Sequence, residues 1–129
     1  MPNFDPSIVG KRCLIVDDEF LIALDIQQIL ETAGAKTVTC FSNSVDCLAA
    51  LQSRRTFDVA VLDFKLSDDA GNSLSIAATL HRQGTPFVFV TGMRSQDVTS
   101  KDFPDAPFVE KPYQAPQLLD ALRRALQSK

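Results

Sequence analysis

Apolar residues in this chain gather in short unbroken runs, separated by stretches in which they recur every three or four positions. The runs are Cys13-Leu14-Ile15-Val16, Val59-Ala60-Val61-Leu62, Phe87-Val88-Phe89-Val90-Thr91 and Phe108-Val109. Short, rich in Val, Ile, Leu or Phe and not alternating, they predict strands buried on both faces. Lys36 to Thr39 adds a further strand, second in chain order. Between the runs, Phe20 to Leu30 carries apolar residues at helical spacing and ends at Gly34, a favourable C-terminal cap. Ser42, Asn43 or Ser44 caps a second helix through Leu51, with Val45, Leu48 and Leu51 as its apolar face. A third helix is expected from about Ser73 to Gln83, broken by Gly84-Thr85-Pro86. Only a turn or two is expected around Asp97 to Lys101, and a final helix runs through Leu126 with Pro116 near its first turn. Strands and helices alternate throughout, which predicts an α/β fold: a doubly wound, five-stranded parallel sheet in three layers.

Three of the runs end in a charged signature: Asp17-Asp18 after the first strand, Asp63 at the end of the third, and Lys111-Pro112 after the fifth. The carboxyl ends of parallel strands share one edge, where such sheets bind ligands. Three carboxylates and a lysine are therefore expected to meet there. Carboxylates so close repel one another unless a cation sits among them, and magnesium, a hard ion with oxygen ligands, is the natural candidate. An Asp pair alone also reads as a cap for the following helix. Its place beside Asp63 and Lys111 makes the chemical reading the better one.

Composition narrows the partners. With 129 residues and 45% hydrophobic content, the chain suits one domain with one core, expected from about residue 11 to 126. A formal net charge of -3 argues against direct nucleic-acid binding or attachment to an acidic membrane. No apolar run approaches the roughly 20 residues needed to span a bilayer. Cys13, Cys40 and Cys47 show no Cys-x-x-Cys spacing, and with no secretory leader in sight they fit a reducing cytoplasm.

Val16-Asp17-Asp18-Glu19, the strand ending in Asp63, Thr91 after the fourth strand and Lys111-Pro112 after the fifth together resemble the receiver (CheY-like) domain of two-component response regulators. The resemblance runs from about Lys11 to Leu126. It implies a flavodoxin-like strand order 2-1-3-4-5. It implies that Asp63 accepts a phosphoryl group from a sensor histidine kinase or phosphotransfer protein, and that the domain then switches a downstream protein partner. Asp18 and Asp63 would hold Mg2+ directly, Asp17 through water, and the backbone carbonyl of Lys65 would supply a neutral ligand. Lys111 and Thr91 would contact the phosphoryl oxygens, with Thr91 and Phe108 as the switch pair. Such a domain is no enzyme towards other substrates. It catalyses only its own aspartyl phosphorylation and dephosphorylation.

Some residues depart from the commonest pattern. Ser67 stands where many members have proline, and Phe108 lacks the hydroxyl of the frequent tyrosine. Phe89-Val90-Thr91-Gly92 resembles a Phe-x-Thr-Gly subset, although Met93-Arg94 replaces its usual aromatic, and Arg94 to Asp102 is too polar for a firm fourth helix. A receiver module belonging to a hybrid kinase or larger regulator is an alternative to a stand-alone protein. An Asp-nucleophile phosphatase is disfavoured because the first strand is not followed by Asp-x-Asp. A nucleotide-binding module is disfavoured because no Gly-rich phosphate loop follows a strand.

Overall fold

The computed structural model describes residues 4–64, 73–92 and 103–127. Five parallel strands, β1 (Arg12–Val16), β2 (Thr37–Phe41), β3 (Val59–Asp63), β4 (Phe87–Thr91) and β5 (Phe108–Glu110), form one sheet in the order β2-β1-β3-β4-β5. Helices α1 (Phe20–Ala33), α2 (Ser44–Gln52), α3 (Leu74–Arg82) and α4 (Ala115–Gln127) connect or follow them. Because side chains alternate across a strand, Cys13 and Ile15 of β1 join α1 and α4 in one apolar layer. Leu14 and Val16 join α2 and α3 in the other. Strand β3 is buried along its whole length, as its unbroken apolar pattern requires.

Several expectations need correcting. Strand β2 reaches Phe41, beyond Thr39, because Cys40 and Phe41 pair with Ile15 and Val16. In α2 the inward face is Ser44, Cys47 and Leu51, with Leu48 partly buried, while Val45 is exposed. At roughly 100° per residue, positions 48, 47 and 44 lie within about 60° of Leu51 around the helix, whereas Val45 lies about 120° away, on the outer side. Among the cap candidates, Asn43 is the one used: its side chain accepts from the Asp46 N–H at 2.8 Å. Four helices stand among the described residues. The expected turns at Asp97 to Lys101, the departures at Ser67 and Met93-Arg94, and the Lys65 ligand lie outside those residues.

The packed body also begins before β1. Ile8 is fully buried in the α1–α4 layer. The Asp5 N–H donates to the Ala33 carbonyl at 2.9 Å, the Gly10 N–H to Gly34 at 3.0 Å, and Asp5 pairs with Arg123 of α4 at 3.5 Å. Gly34 ends α1 with φ 106°, and a Cβ there would lie 2.9 Å from Val9 Cγ2. Both the left-handed backbone and the close approach therefore require glycine.

Candidate active site at the carboxyl edge of the sheet

Strands β1 and β3 are neighbours in register, Val16 opposite Leu62, so the residues that follow each emerge side by side. Asp17, Asp18 and Asp63 each bring a carboxylate oxygen to within 4.8 Å of the others. Asp17 and Asp63 are buried and Asp18 half-buried. One oxygen of Asp17 accepts the Glu19 N–H at 2.8 Å, a local turn that fixes the carboxylate at the start of α1. The other, Oδ2, is buried without a hydrogen-bond partner among the described residues. Burial pushes the Asp17 carboxyl above its ordinary value, and Glu19 and Asp18 add to that, against the opposing Glu19 N–H and Lys111. Three converging carboxylates, with one buried Asp17 oxygen that has no hydrogen-bond partner among the described residues, fit a hard divalent cation.

Lys111 enters from the end of β5. Its backbone N–H donates to the Thr91 carbonyl at 2.7 Å, and the bond from Lys111 to Pro112 is cis. The ammonium lies 3.0 Å from Glu19, 3.7 Å from Asp17 and 3.8 Å from Asp63. Burial works against its charge, but the hydrogen bond to Glu19 and the fields of Asp17 and Asp63 outweigh it, and its pKa rises. It therefore stays a cation at neutral pH.

Thr91 is buried at the end of β4, beside β3. Phe108 stands apart from the carboxylates, opposite Phe89 in the β4–β5 register. Its ring stacks on Phe89 at 4.9 Å and tilts against Phe64 at 5.6 Å. Phe64 directly follows Asp63, so one residue links the acidic edge to the aromatic cluster. The structure thus brings together Asp17, Asp18, Asp63 and Lys111, with Thr91 at the neighbouring strand end.

These features decide the family. A sequence profile described as the response regulator receiver domain matches residues 13–123. The chain belongs to that family. SdrG from Sphingomonas melonis Fr1 is 29% identical with a TM-score of 0.75, over 92% of this chain and 98% of that one. A response regulator receiver protein from Sinorhizobium medicae is 26% identical with a TM-score of 0.81, over 92% and 96%. The curated relative PhyR, a phyllosphere-induced regulator of Methylorubrum extorquens, is 21% identical over 118 residues. That match covers 92% of this chain but only 44% of the relative's length. No helix among the described residues is long and apolar enough to cross a membrane.

Geometry adds a contact for Glu19, which the sequence places beside the site, and a residue that the sequence does not single out, Tyr113. Glu19 is the nearest acidic partner of Lys111 among the described residues, across 92 positions of chain. Tyr113, two positions after Lys111, buries its hydroxyl with no hydrogen-bond partner among the described residues. Burial, helped by Asp25, Asp17 and Asp63, raises its pKa and keeps it neutral. An unpaired buried hydroxyl costs about 1–3 kcal/mol. Tyr113→Phe is therefore expected to stabilise the metal-free receiver by about 1 kcal/mol, read by urea denaturation; a lower midpoint would mean that the hydroxyl has a partner.

Proposed function

We propose that this receiver accepts a phosphoryl group on Asp63 from a phosphohistidine on a sensor kinase or phosphotransfer protein and so changes its binding to a downstream protein. The observation that carries this reading is the buried Asp63 carboxylate, held among Asp17 and Asp18 with the Lys111 ammonium 3.8 Å away. A carboxylate oxygen of Asp63 attacks phosphorus while the bond from phosphorus to the donor's imidazole nitrogen breaks. The nitrogen keeps the electron pair, and the product is an acyl phosphate. Such transfer depends on positioning and charge neutralisation more than on covalent help. Asp17, Asp18, Asp63 and the Lys65 backbone carbonyl would hold magnesium, which supplies positive charge to the phosphoryl oxygens. Lys111 neutralises a further oxygen as a compact point charge, and Thr91 donates its hydroxyl. The receiver catalyses this transfer and its hydrolysis on itself alone, and a kinase-linked role fits a cytoplasmic protein.

The switch follows from the same groups. Movement of Thr91 towards new oxygens changes the space beside β4 and β5, and the Phe108 ring repacks against Phe89 and Phe64. Phosphorylation by phosphoramidate with magnesium, followed by mass spectrometry, tests the central claim.

A protein donor also needs a landing surface beside Asp63. Phe20 and Leu21 are each 75% exposed at the start of α1, next to Asp18 and Glu19. Large apolar groups in such a position favour a protein partner. Phe20→Ser with Leu21→Ser should slow transfer from the cognate phosphohistidine protein about tenfold or more. Phosphorylation by phosphoramidate should be unchanged. Equal slowing with both donors would assign these side chains to the chemistry or to folding.

A further inference from the structure

We infer that Glu19 is a positioning residue that holds Lys111 back from Asp63 and so acts as a brake on phosphorylation, an inference that rests on the phosphoacceptor reading of Asp63. The ammonium lies 3.0 Å from Glu19 Oε1, within hydrogen-bond reach. Its separations from Asp17 and Asp63, 3.7 and 3.8 Å, are ion-pair distances only. The lysine that should neutralise a phosphoryl oxygen thus directs one of its three N–H donors, in its closest contact, to a carboxylate at the rim.

Backbone placement makes this pairing deliberate. Glu19 is the N-cap residue of α1, yet its side chain caps nothing, and α1 has no acidic residue in its first turn. Asp, Asn, Ser or Thr would serve the helix better there. The Glu19 N–H is fixed by Asp17 at 2.8 Å, and the Lys111 N–H by Thr91 at 2.7 Å. Both side chains therefore start from anchored backbones and meet over the mouth of the acidic cluster. Movement of the ammonium towards a phosphoryl group on Asp63 draws it away from Glu19, at the expense of that contact. Glu19 is largely exposed, so the pair is weak enough to yield to an oxygen-rich anion.

The test compares Glu19→Gln and Glu19→Asp with the parent, each also in a Lys111→Ala background. Phosphorylation rates by phosphoramidate with magnesium, and affinity for beryllofluoride as a phosphoryl mimic, are measured. Releasing the brake should raise both about three- to fivefold, the factor that corresponds to a partly exposed ion pair of up to about 1 kcal/mol. Aspartate keeps the charge but is too short to hold the lysine, so it should behave like Gln. Both gains should vanish with Lys111→Ala. No gain, a loss, or a gain that persists without Lys111 overturns the inference, the last by showing simple repulsion of the donor. A gain with Gln but not with Asp does the same. Thermal unfolding in a chelator supplies a readout free of chemistry: Glu19→Gln should lower the midpoint in the parent and leave it unchanged with Lys111→Ala, and equal shifts count against the pair. A parent that takes up no phosphoryl group brings down the phosphoacceptor reading itself, whatever the unfolding cycle gives.

Discussion

Asp63→Asn is expected to take up no phosphoryl mass under conditions that modify the parent fully, a fall in rate to background. The amide oxygen is a far poorer nucleophile than a carboxylate, and an acyl phosphate cannot form on it without loss of the amide nitrogen. The neighbouring carboxylates are poor substitutes. Asp17 is turned towards its own chain by the Glu19 N–H. Asp18 is the most exposed of the three, whereas Asp63 is buried with the Lys111 ammonium 3.8 Å away. The variant should fold, because Lys111 keeps Asp17 and Glu19 as partners. Intact mass and peptide mapping check this, and phosphoryl mass on Asp17 or Asp18 in the variant would refute the assignment.

The second large effect concerns stability and reverses sign with metal. In a chelator, Asp17→Asn should be more stable than the parent at neutral pH. Burial raises the folded-state pKa of Asp17 above its unfolded value, so the folded protein binds this proton more tightly. Below the ordinary carboxylate range neither state is ionised and nothing is lost. As pH rises through the raised value the folded state must hold a buried charge, and stability falls until ionisation is complete. The variant should lack that decline. Asp58 has the opposite dependence, since hydrogen bonding to Arg12 lowers its pKa, so the informative quantity is the difference between variant and parent across pH. Saturating magnesium should stabilise the parent, by about 2.7 kcal/mol at a hundred times its dissociation constant, and the variant much less. Urea denaturation over pH, with and without magnesium, is the measurement. A variant less stable than the parent in chelator would show that the Asp17 charge is compensated at rest.

Parallel strands made the site legible before any fold was seen. Once Val16, Leu62 and Val109 are placed on parallel strands of one sheet, Asp17, Asp63 and Lys111 must emerge at the same edge. The bounds of β3 and β4 could be read directly because both are buried on two faces, and the apolar run is then the strand itself. Strand β2 lies at the edge of the sheet, half exposed, and its weaker pattern left its end at Phe41 unmarked. Helix α2 misled because Val45 is more hydrophobic than Ser44 or Cys47, although helical phase places the latter two inward. Ile8 is illegible for a different reason: it stands in a two-residue apolar pair with Val9, amid Pro6, Ser7 and Gly10, and no periodicity announces that one of the pair is buried and the other exposed. The partners of Lys111 required coordinates. Sequence placed Glu19 beside the site, but only geometry shows that it outcompetes Asp63 for the ammonium, and only geometry shows that the Tyr113 hydroxyl is orphaned.

The anchorage of Asp5, Ile8 and Gly10 has a mechanical meaning. Chain ahead of a first strand often hangs as slack, and whatever is joined to it can swing without disturbing the fold. Here the backbone is bonded to the last residues of α1, a buried side chain is wedged beneath them, and a charge grips α4. A tether pulling on residue 5 would load two helices of the same layer at once, and the first of them begins beside the acidic edge.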